Sequence, residues 1–168
     1  STRKESSAAS DVYKRQDDTF VKEVMVPRTD MVFIKENHTL RQLISLALRS
    51  GFSRIPVIGE GLDDIRGIVY IKDVTKRIFD YPDAERGETV SEVMRAAEFC
   101  PDSKPVSELL QEMQRNHSHM VIVVDEFGGT SGLATIEDIL EEIVGEIVDE
   151  YDQEVPNVVD LGEGRYRV

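Results

Sequence analysis

Cysteine is nearly absent from this sequence, since Cys100 is the only one among 168 residues. A single cysteine excludes a disulfide within the chain and fits a reducing compartment. Long apolar runs are also missing, because no stretch reaches the roughly eighteen residues that a membrane-spanning helix needs. We therefore expect that this segment does not itself cross a membrane.

Basic residues are in the minority. Twenty Lys and Arg residues stand against 33 Asp and Glu residues, which gives a formal net charge of −13. A chain this acidic repels the phosphates of DNA and RNA, so we expect no nucleic-acid partner. A hydrophobic fraction of 40% beside 32% charged residues is nevertheless typical of a globular chain of one domain or two small modules.

The common signatures of catalysis are missing too. The sequence contains no Walker A loop, no GxSxG motif and no HExxH motif. His117 and His119 form an H-x-H pair, but no cysteine or third ligand lies near them in sequence, which disfavours a zinc site. These absences favour a binding or structural module over an enzyme.

The sequence does contain an internal repeat, which begins near residue 20. Residues 1–19 lack a sustained apolar period, and we interpret them as a tail or linker. The corresponding segments are 24–25 and 93–94, 53–57 and 118–122, and 67–74 and 132–139, of which the last two pairs share an offset of 65 residues. Such a repeat predicts one supersecondary unit that buries its apolar face against a copy of itself.

Each repeat predicts the same order of elements: a strand, a helix, two strands and a second helix. In the first repeat these are a strand at 31–34, a helix with Leu40, Leu43, Ile44, Ala47 and Leu48 on one face and Gly51 as its C-cap, strands at 54–58 and 67–71, and a helix from about 72. In the second they are a strand at 97–100, a helix with Val106, Leu109, Leu110 and Met113 on one face, strands at 120–124 and 132–135, and a helix from about 136. The expected fold class is α/β (α+β), with two β-α-β-β-α repeats packed about a pseudo-twofold axis.

The last helix combines an acidic face with an apolar stripe, which consists of Ile136, Ile139, Leu140, Ile143, Val144, Ile147 and Val148. Nine acids and no base lie between residues 137 and 154. This face is either a solvated helix surface or a place where carboxylates bind Mg²⁺. Beyond Pro156, residues 158–161 and 165–168 look like the start of a hairpin that is cut off.

Thr135 and Asp138 form the sharpest local pattern. Thr135 ends a strand and opens a helix, and Asp138 follows three residues later. A Thr-x-x-Asp pair often only caps the free N–H groups of a helix N-terminus. The same geometry also suits a nucleotide, because the Asp can accept hydrogen bonds from both ribose hydroxyls while phosphates lie near the helix dipole.

A second pattern lies in the first repeat, at 51–57. Pro56 cannot donate to a β-ladder, so its strand is expected at a sheet edge, where free backbone groups can read a flat polar base. Phe52 would pack on that base and Arg54 would contact phosphate. The alternative is that Phe52 belongs to the core and that Arg54 is a solvated surface cation.

The two repeats carry complementary parts of such a site. The first has Phe52 and Arg54, but Tyr70 stands where the second repeat has Thr135. The second has Thr135 and Asp138, but His119 stands where the first has Arg54. Two incomplete sets make one complete site if the repeats face each other, which predicts a single strong site per chain.

The segment from about 20 to 154 resembles a tandem pair of cystathionine-β-synthase (CBS) domains, and more narrowly the pair of the CorC/HlyC-type magnesium and cobalt efflux family. The matching stretches are 23–31, 50–57, 123–130 and 135–147. The resemblance implies a first CBS repeat at 20–80, a second at 81–154, and the start of a truncated transporter-associated domain at 155–168.

The resemblance also implies a ligand, ATP or AMP, between the repeats. Thr135 and Asp138 would hold the ribose, and Phe52, Ile55 and Pro56 would line the adenine. Ser53 and Arg54 would face the phosphates. Some relatives place a Thr near phosphate where this chain has Val26, so a hydroxyl contact is not expected there.

The resulting hypothesis is a regulatory nucleotide-sensing module, without catalytic activity, of a protein involved in Mg/Co transport. Its implied partners are an adenine nucleotide, Mg²⁺ together with ATP, a second copy of the chain, and the membrane domain of the parent transporter. It would lie on the cytoplasmic side of the cell membrane. The alternatives are a nucleotide-hydrolysing enzyme and a structural dimerisation module with a vestigial pocket.

Overall fold

The computed structural model describes residues 19–154, with the side chains of all of these except 146 and 149–154. The described residues fall into two compact units. The helical unit comprises 19–25, 103–119 and 134–154, and the sheet unit comprises 26–102 and 120–133. The truncated domain expected at 155–168 and most of the tail expected at 1–19 lie outside the described residues.

The sheet unit contains nearly all of the strand residues and three of the helices. Its strands are β1 (Val26–Pro27), β2 (Ile34–Lys35), β3 (Arg54–Ile58), β4 (Ile65–Tyr70), β5 (Phe99–Pro101), β6 (Met120–Val124) and β7 (Thr130–Thr135), the last of which continues into the helical unit. Its helices, in order along the chain, are α2 (Leu40–Ser50), α3 (Ile71–Asp80) and α4 (Ala84–Gly87), with short 3₁₀ turns at Arg28–Asp30 and Val90–Glu92. The helical unit contains α1 (Val21–Val24), α5 (Val106–Asn116) and α6 (Ile136–Glu154).

The strands form two mixed sheets. One has the order β2-β3-β4, in which β2 runs parallel and β4 antiparallel to β3. The other has the order β1-β7-β6-β5, in which β5 runs parallel to β6 and β1 antiparallel to β7. Each repeat therefore has the β-α-β-β-α order, which confirms the α/β fold class. β1 comes from the first repeat yet pairs with β7 of the second, so the sheets do not follow the repeat boundary at residue 80.

Helix α2 begins and ends where its sequence requires. The Thr39 hydroxyl accepts from the Gln42 N–H at 3.2 Å, and the Gln42 side chain accepts from the Thr39 N–H at 2.8 Å, which is a capping box. Gly51 closes the helix in the left-handed region, at a φ of 80°, which glycine adopts without a steric penalty. The predicted C-cap is confirmed. The predicted apolar face is wrong for Leu48, whose exposed fraction is 81%.

The sheet unit buries two apolar clusters. The first joins α2 to the β2-β3-β4 sheet and consists of Ile34, Leu40, Leu43, Ala47, Ile55, Val57, Val69, Val74, Ala84 and Val90. The second consists of Met31, Ile68, Met120, Ile122 and Leu133. Ile55 and Val57 of β3 belong to the first cluster, so β3 is anchored in the core of the sheet unit.

The prediction that Pro56 marks an edge strand is wrong for the strand as a whole, because β3 is the middle strand of its sheet. Its pairing with β2 involves Val57 and Ile58, whereas Pro56 lies opposite Ile68 of β4. The Ile68 N–H donates to the Arg95 carbonyl, and the Ile68 carbonyl accepts from the Arg95 N–H. Both backbone groups of Ile68 are thus used by Arg95, so the Pro56–Ile68 pair exchanges no hydrogen bonds. A missing proline N–H therefore removes no bond from this ladder.

The helical unit packs α5 and α1 against α6. Helix α5 buries Val106, Leu109 and Met113, as its spacing predicts. In α6, Ile139 is fully buried, whereas four other apolar side chains of the predicted stripe are exposed, namely Leu140, Val144, Ile147 and Val148. No helix in the described part of the chain is both long and apolar enough to cross a membrane.

Candidate nucleotide site

The loop after α2 presents the first group of predicted site residues. Phe52 has an exposed fraction of 52%, and Ser53 is exposed as well. The Ser53 carbonyl accepts a hydrogen bond from the Ile71 N–H at 2.9 Å, which ties this loop to the start of α3. Phe52 is therefore not a core residue, and its ring is available to a ligand.

Arg54, the first residue of β3, lies opposite Tyr70, the last residue of the neighbouring strand β4. Its guanidinium carbon is 5.7 Å from the centroid of the Tyr70 ring, within the range of a cation–π contact. Arg54 is partly buried. The aromatic face thus restricts where the guanidinium lies, in contrast to the alternative of a freely solvated cation.

Ile55 and Pro56 follow Arg54 along β3, and both are buried. The Ile55 side chain is fully buried in the core cluster of the sheet unit. The exposed fraction of the whole Ile55 residue is 0%, so its backbone is covered as well as its side chain. The role of Ile55 in lining the adenine stays a prediction from the resemblance.

Thr135 and Asp138 lie at the junction of β7 and α6. The Thr135 hydroxyl accepts a hydrogen bond from the Asp138 N–H at 3.2 Å, and the Ile136 N–H donates to the His119 carbonyl at 3.0 Å. Thr135 is therefore a true helix cap. The bond uses the backbone of Asp138 and not its carboxylate.

The Asp138 carboxylate differs from the acidic or amide group in the other capping boxes. The Glu92 carboxylate accepts from the Thr89 N–H at 2.9 Å, just as the Gln42 side chain accepts from the Thr39 N–H. Among the residues that the structure describes, no hydrogen bond or ion pair engages the Asp138 carboxylate. Its oxygens are thus available to accept from hydroxyl groups.

The structure brings Phe52, Ser53, Arg54, Ile55 and Pro56 together as one segment of the sheet unit, and Thr135 and Asp138 together by a hydrogen bond in the helical unit. Their combination in one nucleotide site stays a prediction from the sequence.

Sequence reasoning missed the surroundings of Asp73, the counterpart of Asp138 in the first repeat. Two hydrogen bonds join the Arg95 guanidinium to the Asp73 carboxylate, at 2.7 and 2.9 Å. Hydrogen bonding by Arg95 is the main reason why the pKa of Asp73 lies below its usual value. The only signal in the sequence was that Arg95 follows Val93-Met94 where Val26 follows Val24-Met25.

A second ion pair that the sequence did not reveal lies elsewhere in the sheet unit. Arg28 pairs with Asp63 and also donates to the Thr130 carbonyl at 2.9 Å, while the Thr130 N–H donates to Asp63 at 2.9 Å. The hydrogen bond from Arg28, followed by that from Thr130, lowers the pKa of Asp63. Arg28 and Thr130 both belong to stretches that carry the family resemblance, and here both bind Asp63.

Metal ligands do not cluster in the described part of the chain. No group of three or more His, Cys, Asp or Glu side chains has an arrangement suited to a metal ion there. Several acids of α6, among them Glu146 and Asp149, have side chains outside the described set. The acidic face predicted from the sequence is therefore described only in its first half.

The fold and these motifs define a class of protein. The family model described as CBS domain matches residues 21–80 and 90–145, and the chain belongs to the CBS-domain family, with two copies of the domain.

The relatives narrow this class to CBS pairs of the CorC type. Magnesium and cobalt efflux protein CorC of Escherichia coli is 47% identical over 137 residues, which cover 82% of this chain and 46% of that protein. UPF0053 protein Rv2366c of Mycobacterium tuberculosis is 57% identical over 152 residues, which cover 90% of this chain and 35% of that protein. The chain thus spans less than half the length of these curated relatives.

Solved structures agree with this assignment. The CBS domain of the bacterial CNNM/CorC family Mg²⁺ transporter in complex with ATP is 41% identical, with a TM-score of 0.74 over 80% of this chain and 93% of that one. A CBS-domain pair with bound AMP from Klebsiella pneumoniae is 30% identical, with a TM-score of 0.66 over 76% of this chain and 99% of that one.

Proposed function

We propose that this chain is a regulatory module that binds an adenine nucleotide, ATP or AMP, in a protein involved in Mg/Co transport. The observation that carries the proposal is the Asp138 carboxylate, which has no described partner at a capped helix start. The similar structures that hold ATP and AMP support the choice of ligand.

Each named residue has a role in this proposal. Asp138 accepts hydrogen bonds from the ribose hydroxyls, next to Thr135. The exposed ring of Phe52 packs on the base, next to the segment that contains Ile55 and Pro56. Ser53 and Arg54 contact the phosphates, and Mg²⁺ accompanies ATP because it offsets the added negative charge on an already acidic chain.

The regulation works through linkage, and no bond is made or broken. A nucleotide that binds one arrangement of the chain better than another shifts the equilibrium toward it by its difference in binding free energy. The equilibrium is that of a homodimer on the cytoplasmic side of the membrane. The favoured arrangement of this homodimer acts on the membrane domain of the parent transporter.

Thermal melting with ATP, ADP, AMP and adenosine, each with and without Mg²⁺, tests the proposal beside a phosphate-release assay. Ligand at about a hundred times its dissociation constant is expected to add ~2.7 kcal/mol of stability. Steady release of phosphate would establish the alternative of a hydrolase. Unchanged melting with every nucleotide would leave a structural dimerisation module.

Arg54→Ala is expected to separate nucleotides by the number of their phosphates. A cation that contacts the phosphates matters more for ATP than for adenosine, so ATP affinity should fall further. Calorimetry of both ligands on wild type and variant measures the difference. Arg49→Ala is a matched control, because Arg49 is an exposed arginine at the end of α2 whose side chain donates only to Ser45 among described residues. Equal losses for ATP and adenosine would place Arg54 away from the phosphates.

A further inference from the structure

The first repeat holds its own version of the residues that surround Asp138. The offset of 65 residues aligns Asp73 with Asp138 and Tyr70 with Thr135. The alignment of Val93-Met94 with Val24-Met25 makes Arg95 the counterpart of Val26. Each counterpart carboxylate therefore lies in the first turn of a helix that follows a strand.

The two carboxylates differ in what they bind. The Arg95 Nε donates to Asp73 Oδ2 at 2.7 Å, and its Nη2 donates to Oδ1 at 2.9 Å, so both oxygens of Asp73 are engaged. A bidentate arginine thus uses both of the carboxylate oxygens that would otherwise accept from two ribose hydroxyls. The Asp138 carboxylate has no such bond among the described residues.

Arg95 is held in place by contacts other than the one to Asp73. Its backbone exchanges two hydrogen bonds with Ile68, at 2.8 and 2.9 Å. A Cβ atom on Gly67 would lie 2.6 Å from the Arg95 carbonyl oxygen, so this close approach requires a glycine. The guanidinium carbon also lies 4.0 Å from the centroid of the Tyr70 ring.

Tyr70 completes the difference between the repeats. It is the N-cap residue of α3 but makes no side-chain cap bond, whereas Thr135 caps α6 with its hydroxyl. Its ring instead contacts Arg95. The position that would hold a ribose thus contains a cation and an aromatic ring from the chain itself.

We infer that Asp73 is a latent ribose-binding carboxylate that Arg95 occupies, and that Arg95 thereby limits the chain to one nucleotide. The inference rests on the proposed function. A tethered guanidinium makes two charge-assisted bonds to Asp73, whereas ribose hydroxyls are neutral donors that arrive from solution. The fold also holds Arg95 through two backbone bonds to Ile68 and the contact with the Tyr70 ring, so nucleotide does not displace it from Asp73.

The test transfers the residues of the second site to the first repeat. Tyr70→Thr with Arg95→Val introduces the counterparts of Thr135 and Val26. Arg95→Gln is a milder variant that removes the charge and the bidentate guanidinium but keeps a polar side chain. Adenosine is the probe, measured by equilibrium dialysis to saturation, because Tyr70→Thr also removes the ring under Arg54 and would disturb phosphate binding. The number of adenosines per chain is expected to rise from one to two in the double variant.

Two further substitutions assign the new site. In the double variant, Asp138→Ala should leave one adenosine bound, and the addition of Asp73→Ala should remove it. A melting curve confirms that each variant is folded. If the double variant and Arg95→Gln are both folded and still bind one adenosine, the inference is overturned. If the wild-type chain binds no adenine nucleotide, the proposed function fails instead, so the two failures are distinct.

Discussion

Replacing Asp138 with alanine is expected to weaken adenine-nucleotide binding by about a hundredfold or more. A carboxylate that accepts from ribose hydroxyls makes hydrogen bonds to a charged group, each contributing roughly 1.5–3 kcal/mol. The loss of two such bonds corresponds to at least two factors of ten, at about 1.4 kcal/mol for each factor. Calorimetry with ATP and AMP measures the change.

The structure separates this binding role from helix capping. The cap bond runs from the Asp138 N–H to the Thr135 hydroxyl, and alanine keeps that N–H. Asp138→Ala should therefore change stability little, whereas Thr135→Ala should destabilise the fold by about 0.5–2 kcal/mol through loss of the cap. If Asp138→Ala melts early but binds nucleotide normally, its carboxylate serves stability and the proposed role is wrong.

Asp73→Ala is the matched control, since it removes the counterpart carboxylate of the other repeat. Asp73 already accepts two hydrogen bonds from Arg95, so its removal should barely change nucleotide affinity. Both side chains are partly exposed, and such ion pairs contribute about 0–1 kcal/mol to stability. A loss of affinity as large as that of Asp138→Ala would show that the two carboxylates are equivalent.

The elements best predicted from the sequence are those with strong local signals. β3 and β6 were predicted to the residue, because each is a short apolar run between turn residues. The starts of α3 and α6 were predicted to within a residue, and Gly51 was identified as a C-cap. These features depend on residues that are neighbours in the chain.

Features set by distant partners were predicted less well. β2 begins at Ile34 and β5 at Phe99, later than the apolar segments suggested, because each strand extends only as far as its parallel partner pairs with it. The pairing of β1 with β7 joins residues more than a hundred positions apart. No local periodicity contains this information.

The candidate site shows the same division. The sequence identified both segments and the complementary residues of the two repeats. It did not identify Arg95, because the Asp73–Arg95 pair joins side chains 22 residues apart through a turn that brings Arg95 beside Ile68. The repeat alignment names the position of Arg95, but only the geometry shows that its charge faces Asp73.

Gly67→Ala is expected to destabilise the chain by about 1–3 kcal/mol, the usual range for extra atoms forced into a packed region. A Cβ atom there would lie 2.6 Å from the Arg95 carbonyl oxygen and 2.9 Å from the Met94 sulfur. The methionine can adjust, but the oxygen is backbone and accepts from the Ile68 N–H, so relief would break that bond. Gly61→Ala is the matched control, since a Cβ atom on Gly61 meets nothing within 4 Å. Each kcal/mol lost should lower Tm by roughly 2–4 °C, and equal melting of the two alanine variants would contradict the close approach of Arg95 to β4.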